Sequence, residues 1–266
     1  MVRQRAGRAI LSVLLPLKCH VCGRPAVAVT TGTGADRRPP RSGLRPKVDE
    51  ILSRHLCHDC AQTFMAVESP MCECCGKMFV SRQGGNHLCG ECLRQPRFFS
   101  RARSAWVFDR CLATLVHKLK YNGRIGLAKP LGIFMLAVLL DNWNLDEIDC
   151  VVPVPLHRKR MSRRGFNQSY MLSKFWPAMV GPGIAVDPTV LIRVRQTASQ
   201  TGLGRRERAA NLKNAFRINP GKEVADLRLL LVDDVFTTGA TVNECSKILL
   251  KGGASRVDVL TLARTG

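Results

Sequence analysis

Two adjacent carboxylates, Asp233 and Asp234, stand between an uninterrupted apolar run and a turn rich in threonine and glycine. Carboxylates accept hydrogen bonds from sugar hydroxyls, and threonine hydroxyls together with backbone N–H groups can surround a phosphate dianion. This combination indicates a sugar-phosphate site. Its candidate residues are Asp233, Asp234, Thr237, Thr238, Gly239, Ala240 and Thr241.

The elements around these residues support the same site. Residues 229–232 are apolar without alternation, which is typical of a parallel strand covered on both faces. Ligands of parallel sheets bind beyond the carboxyl ends of the strands. From about Ala240 apolar residues recur at helical spacing, so a bound phosphate would lie at a helix N-terminus. Gly239 would let the main chain approach it, and a plain strand-to-helix turn would not explain the acids and threonines together.

The cysteines of the N-terminal block form four CxxC pairs. Two residues between thiols allow both to bind one tetrahedral Zn²⁺, and two such pairs complete a closed structural site. A redox-active CxxC and an iron–sulfur cluster are the alternatives, while disulfides are disfavoured in a chain without an exported context. The candidate zinc ligands are Cys19, Cys22, Cys57, Cys60, Cys72, Cys75, Cys89 and Cys92.

Pairing in sequence order predicts one site from the first four of these cysteines and a second from the last four. The first site must close over an insert near residues 28–48 whose Gly, Pro and Arg content predicts disorder. Closing such a loop is tolerated, because its entropic cost grows slowly with length. An interleaved pairing stays open, and Cys74 is an alternative ligand of the second site.

The charge balance is strongly basic, with a formal net charge of +21 over 266 residues. Between residues 151 and 222 the acids are Asp187 and Glu207 alone, which favours nucleotides, pyrophosphate, nucleic acid or an anionic membrane surface as partners. No apolar segment approaches the ~20 residues of a membrane helix, so we expect a soluble, cytoplasmic protein. The first 17 residues mimic a signal peptide but lack a cleavage site, and we expect a short amphipathic helix there.

The segment around Asp233 resembles the 5-phosphoribosyl-1-pyrophosphate (PRPP) signature of type I phosphoribosyltransferases. With the cysteine-rich N-terminus, VPVPLHRKR at 152–160, RGFNQ at 164–168 and QTGL at 200–203, the chain resembles the ComF/GntX family of phosphoribosyltransferase-like competence proteins from about Lys18 onward. The resemblance implies a double zinc-ribbon module within residues 1–98. It also implies an α/β type I phosphoribosyltransferase fold with a central, mostly parallel sheet over residues 99–266.

The resemblance also assigns two further groups of site residues. The turn after the strand predicted near residues 148–153 would be a pyrophosphate loop made of Pro155, Leu156, His157, Arg158 and Lys159. A mobile catalytic loop would contribute Arg195, Gln200, Arg205 and Arg208. For His157 an ordinary loop histidine is the alternative. Mg²⁺ would accompany PRPP and be held mainly by that ligand.

The elements expected to position these residues follow from local pattern. We predict strands near residues 104–108, 148–153 and 190–192, and a last strand at 257–262 that closes the sheet. Helices are predicted at residues 112–120 and from about Pro130 to Trp143, and the segment 160–166 is expected to lead into a third helix that ends near Trp176.

The leading hypothesis is therefore a PRPP-binding phosphoribosyltransferase, or a close derivative of one, whose acceptor the sequence does not specify. The alternative is a non-catalytic accessory factor that handles single-stranded DNA, works with the DNA-uptake machinery and senses PRPP or nucleotides. The basic excess favours this alternative, since phosphate contacts need charge alone. The scarcity of aromatic residues among the basic ones argues against it, because base stacking needs aromatic rings.

Overall fold

A computed structural model describes residues 17–26, 52, 54–121, 123–181, 183–196 and 205–266. The helix expected before Lys18, the insert near 28–48 and Gln200 lie outside these described residues. The strands are β1 (Ala102–Val107), β2 (Cys150–Pro153), β3 (Leu191–Arg193), β4 (Phe216–Ile218), β5 (Arg228–Phe236) and β6 (Arg256–Arg264). The α-helices are α1 (His58–Gln62), α2 (Gly90–Arg94), α3 (Arg110–Tyr121), α4 (Ala128–Asn142), α5 (Arg158–Arg164), α6 (Gln168–Ser173), α7 (Pro177–Val180), α8 (Arg205–Leu212) and α9 (Ala240–Lys251).

Four strands form a parallel sheet in the order β1, β6, β5, β2. Successive side chains of a strand point to opposite faces, so neighbours such as Leu229 and Leu230 belong to two different clusters of buried residues. Because both faces are covered, β5 is apolar from Leu229 until its two acids. The expected α/β class with a mostly parallel sheet is confirmed.

Helix α4 fills one face of the sheet and packs against α6, β1 and β6. A Cβ atom at Gly132 would overlap the carbonyl oxygen of Leu172, so glycine permits the close contact of α4 with α6. Trp176 Nε1 donates a hydrogen bond to Gly132 O at 3.0 Å. Among the described residues, Ile125–Asn142 is the one stretch long and apolar enough to cross a membrane, and 61% of it is buried inside the protein, the position of a core helix.

The connection after β2 differs from expectation. The predicted basic turn becomes helical at Arg158, and Gly165 ends α5 in the left-handed region at φ +81°. Asn167 then caps α6, its side chain accepting from Ser169 N at 3.0 Å. The helix expected to run to near Trp176 ends at Ser173, and Pro177 starts the separate helix α7.

Two strands also differ from the prediction. The strand expected at 190–192 exists as β3, but it pairs antiparallel with β4 and lies outside the main sheet. The sequence reasoning missed β4, a three-residue strand too short to show a pattern. The last strand, β6, does not close the sheet; it lies inside it, between β1 and β5.

The cysteine-rich region packs on both faces of the sheet. Cys19, Cys57 and Cys60 belong to the buried cluster that contains residues of α3 and α4. The cluster on the opposite face contains the four cysteines Cys72, Cys75, Cys89 and Cys92. The chain between them runs along β1, where Val107 N donates to Met65 O at 2.8 Å. This segment covers backbone groups that an edge strand would otherwise expose. The boundary near residue 98 stays a prediction, since residues on both sides of it share the same two cores.

Candidate functional site

The turn after β5 directs the chain from the sheet into α9. Gly239 adopts φ +74°, and a Cβ there would lie 2.5 Å from Phe236 Cζ, so only glycine fits. Thr238 Oγ1 accepts from Ala240 N at 3.4 Å. The turn therefore places the first N–H groups of α9 beside the carboxyl end of β5, where a helix favours a bound anion.

Asp233 is the acid of the pair whose pKa is raised. Its Oδ1 accepts hydrogen bonds from Ser169 Oγ at 3.0 Å and from Asp234 N at 2.9 Å. Burial and then the neighbouring charge of Asp234 raise the pKa of Asp233 to about 7. Near neutral pH this carboxyl group therefore exists in both protonation states.

Asp234 has a different electrostatic environment because Lys120 of α3 forms an ion pair with its Oδ2. Burial alone would raise the pKa of Asp234, but the Lys120 ammonium and the hydrogen bonds that the carboxylate accepts together lower it. Gln168 Nε2 donates to Asp234 Oδ1 at 3.5 Å, and Gln168 Oε1 accepts a hydrogen bond from the Arg164 guanidinium. Asp234 therefore stays ionised while its neighbour titrates.

Cationic side chains face the acids and the turn across one cavity. Lys120, Arg160, Arg164 and Arg193 all line it. The Arg164 guanidinium lies 5.1 Å from the centre of the Tyr121 ring, and Arg193, which is buried, lies over the Phe216 ring. Burial lowers the pKa of both arginines, yet a guanidinium stays charged at any physiological pH.

The cavity has a volume of about 470 Å³, within the range of small-molecule sites. Its lining combines the acids, the turn and the cations with an apolar wall. The apolar lining residues include Phe108, Val116, Val154, Val235 and Phe236. The arrangement can accept a ligand with several negative charges and hydroxyl groups.

The candidate residues named from the sequence divide between the cavity and its surroundings. The acids, Thr237, Gly239, Ala240 and Thr241 line the cavity together with Pro155 and Leu156. Arg158 and Lys159 are exposed in the first turn of α5 and do not line it. His157 is the N-cap of α5, its ring nitrogen Nδ1 accepting from Lys159 N at 3.3 Å.

The expected catalytic loop is only partly described. Arg195 Nη2 donates to the carbonyl oxygens of Asn211 and Lys213, each at 2.8 Å, and does not line the cavity. Arg205 and Arg208 belong to α8, and Gln200 lies outside the described residues.

Sequence reasoning missed the cations that the fold brings to the acids. Lys120 comes from α3 and Arg193 from β3, both far from Asp234 in the chain. Arg160 and Arg164 stood in the basic run but were not distinguished from Arg158. Helical spacing could have identified Arg160 and Arg164 as a pair, because residues four apart lie on the same face of α5.

The first cysteine cluster joins Cys19, Cys22, Cys57 and Cys60, with all ligand atoms within 4.8 Å of one another. Cys22 Sγ and Cys57 Sγ are 3.5 Å apart, and Cys19 Sγ accepts from Val21 N at 3.4 Å. Four converging thiols are the donor set of a closed tetrahedral zinc site. The cluster could therefore hold a structural Zn²⁺.

The second cluster joins Cys72, Cys75, Cys89 and Cys92, all buried and again within 4.8 Å. Cys72 Sγ accepts from the backbone N–H groups of Cys75 at 3.4 Å and Cys89 at 3.3 Å, bonds that stabilise a thiolate. Cys74 Sγ lies instead 3.9 Å from Phe99 O. The thiols thus group in sequence order, not interleaved, and Cys74 is outside both groups.

The acid pair fits a protein-held Mg²⁺ poorly. Such an ion needs carboxylate oxygens open to its octahedral shell. Asp234 Oδ2 is occupied by the Lys120 ammonium, and Asp233 Oδ1 already accepts two hydrogen bonds. The residues present fit Mg²⁺ only where a ligand supplies most of the oxygens.

These observations define an α/β protein with a cation-lined cavity at the carboxyl end of its parallel sheet and two tetra-cysteine clusters. No family model matches the chain. It is 41% identical over 180 residues to DNA utilization protein YhgH of Salmonella typhimurium, covering 66% of this chain and 78% of that protein. It is 35% identical over 214 residues to the YhgH protein of Escherichia coli K12, covering 79% and 90%.

Competence proteins are similar as well. Competence protein F of Haemophilus influenzae is 31% identical over 219 residues, covering 80% of this chain and 92% of that protein. The chain belongs to the ComF family of competence and DNA utilization proteins.

Proposed function

We propose that this protein binds PRPP, or a closely related sugar phosphate, in the cavity beyond β5 and transfers its phosphoribosyl group. The observation behind this proposal is that one cavity combines an acid pair, a threonine–glycine turn at a helix N-terminus and four cationic side chains. Each part matches one part of the ligand. The carboxylates suit the ribose hydroxyls, the turn suits the 5-phosphate and the cations suit the pyrophosphate.

In the proposed reaction the bond between the ribose C1 and a pyrophosphate oxygen breaks, and an acceptor nucleophile forms the new bond to C1. Pyrophosphate leaves with the bonding electrons, so its charge grows in the transition state. Arg160, Arg164 and Arg193 would meet that charge from fixed positions, the arrangement that stabilises a transition state most. Mg²⁺ bound by the pyrophosphate would neutralise further charge.

The catalytic loop that the family resemblance implies completes this proposal. Arg195, Gln200, Arg205 and Arg208 would cover the bound ligand and exclude water from the reacting carbon. Arg158 and Lys159, at the start of α5, would add charge at the entrance of the cavity. The protein would act in the cytoplasm.

Thermal denaturation with and without PRPP and Mg²⁺ tests the binding step. At about 100 times its dissociation constant, PRPP would stabilise the folded protein by roughly 2.7 kcal/mol. The double substitution Asp233→Asn with Asp234→Asn should abolish this stabilisation while leaving the fold intact. Retention of the full response by the double variant would exclude the cavity as the PRPP site. Release of pyrophosphate in the presence of candidate acceptors then tests the transfer step.

A second candidate function is single-stranded DNA handling without turnover. It is favoured by the net charge of +21 and by relatives named for DNA utilization and competence. Binding through phosphates would weaken steeply with salt, whereas PRPP turnover would not require DNA. Salt-dependent DNA binding with no pyrophosphate release would favour this candidate.

A further inference from the structure

Lys120 supplies a cation to the acid pair from within the protein itself. Its ammonium is ion-paired with Asp234 Oδ2, and its side chain is largely buried at the wall of the cavity. It reaches the acids from the last turn of α3, an element that contributes no other cation to the cavity lining. The contact joins the largely buried Lys120 ammonium to the buried Asp234 carboxylate, so each side chain holds the other in position.

We propose that Lys120 is a positioning residue that serves as the permanent cation of the acid pair, so that the protein itself holds no Mg²⁺ there. The part of this proposal that concerns PRPP rests on the proposed function, because it states how Asp233 and Asp234 would be used when PRPP binds. Asp234 is kept ionised and oriented to accept a ribose hydroxyl. A metal enters the site only as part of the ligand.

Two alternatives to this role, a purely packing role for Lys120 and a metal site at the two acids, can be distinguished by removing the charge of Lys120. If Lys120 only packed α3 against the sheet, an apolar side chain of similar length would replace it, since Val116 and Tyr121 of the same helix also line the cavity. If the acids were a metal site, Mg²⁺ alone would displace the ammonium and stabilise the wild-type protein. A lone Mg²⁺ is a useful probe because it prefers oxygen ligands and leaves cysteine thiolates to softer metals.

The first experiment measures the melting temperature against Mg²⁺ concentration without PRPP. We expect no stabilisation of the wild-type protein and a rise of about 2 °C or more for Lys120→Met, whose acid pair has lost its cation. Lys120→Arg keeps the charge and should behave as the wild type. Lys118→Met, on the same helix but outside the cavity lining, is the matched control and should not respond.

Removing one partner of a buried ion pair destabilises a protein, so Lys120→Met is expected to lose stability for that reason alone. A second variant therefore controls for this loss of stability. The double variant Lys120→Met with Asp234→Asn removes both charges and should recover stability but lose the Mg²⁺ response. Stabilisation of the wild-type protein by Mg²⁺ alone, if abolished by Asp234→Asn, would overturn the proposal. So would equal Mg²⁺ responses of the wild type and Lys120→Met.

The second experiment measures PRPP affinity at low and high Mg²⁺. Loss of the ammonium should weaken PRPP binding by Lys120→Met on the order of tenfold at low Mg²⁺, the effect of one charge-assisted contact, and high Mg²⁺ should restore much of it. Unchanged affinity at low Mg²⁺ would contradict the role. The metal-only experiment contains no PRPP, so it decides the role of Lys120 even if the wild-type protein fails to bind PRPP and the proposed function is wrong.

Discussion

Replacing Asp233 by asparagine should make the protein more stable at neutral pH and change how its stability depends on pH. Asparagine has nearly the same shape, and its carbonyl oxygen can still accept from Ser169 Oγ and Asp234 N. What the substitution removes is a charge that forms inside the protein. It therefore isolates the electrostatic effect of one buried carboxylate.

The size of the effect follows from the pKa of Asp233, which rises from its ordinary 3.8 to about 7 in the folded protein. A raised folded-state pKa means that the folded protein holds the proton more tightly than the unfolded chain. The associated stability is complete below the unfolded pKa and is lost as the pH rises through about 7. A rise of about three pKa units corresponds to about 4 kcal/mol.

Urea unfolding of the wild-type and Asp233→Asn proteins between pH 5 and 8 measures this difference. The free energy of unfolding of the variant minus that of the wild type should increase with pH and level off above about pH 7. The contributions of all other groups cancel to first order. Parallel pH profiles for the two proteins would refute the assignment of a raised pKa to Asp233. Asp234→Asn is the contrasting control, since it should destabilise the protein by leaving Lys120 without its partner.

Three further outcomes are expected. Metal analysis should find two Zn²⁺ per chain, and Cys75→Ser should reduce this to one, whereas an unchanged zinc content would exclude that thiol as a ligand. Arg164→Gln, at the cavity wall, should weaken PRPP binding by roughly tenfold, and exposed Arg158→Gln should do so far less, as calorimetry would measure. Gly239→Ala should cost about 1–3 kcal/mol in urea unfolding, because its φ is positive and its Cβ would strike a phenyl ring. Gly221→Ala, in open space, is the control for that substitution.

The parts of the site that the sequence predicted are those built from neighbouring residues. The strand, acids, turn and helix from Leu229 to the start of α9 lie in one continuous segment, and local pattern determines each of them. The cysteine pairs were predictable for the same reason, since a CxxC pair places two thiols together without help from the rest of the fold, whereas which pairs share a site was left open.

What the sequence did not predict depends on distant contacts. The approach of Lys120 to Asp234 requires α3 to end beside the carboxyl end of β5, and only the order of strands in the sheet determines that. The pairing of β3 with β4 likewise places Arg193 at the cavity through a contact between two short segments. Helical spacing could have separated Arg160 and Arg164 from Arg158, but only once α5 was recognised as a helix.

The asymmetry of the two acids is the chemical consequence of that long-range packing. The sequence presents Asp233 and Asp234 as equivalents, but Lys120 pairs with only one of them. Asp234 is therefore a fixed acceptor, while the pKa of Asp233 near 7 gives it a proton to donate in part of the population. Adjacent hydroxyls of a sugar both donate and accept hydrogen bonds. A pair with one ionised and one protonatable carboxyl group can satisfy both roles at once, which two identical carboxylates cannot do.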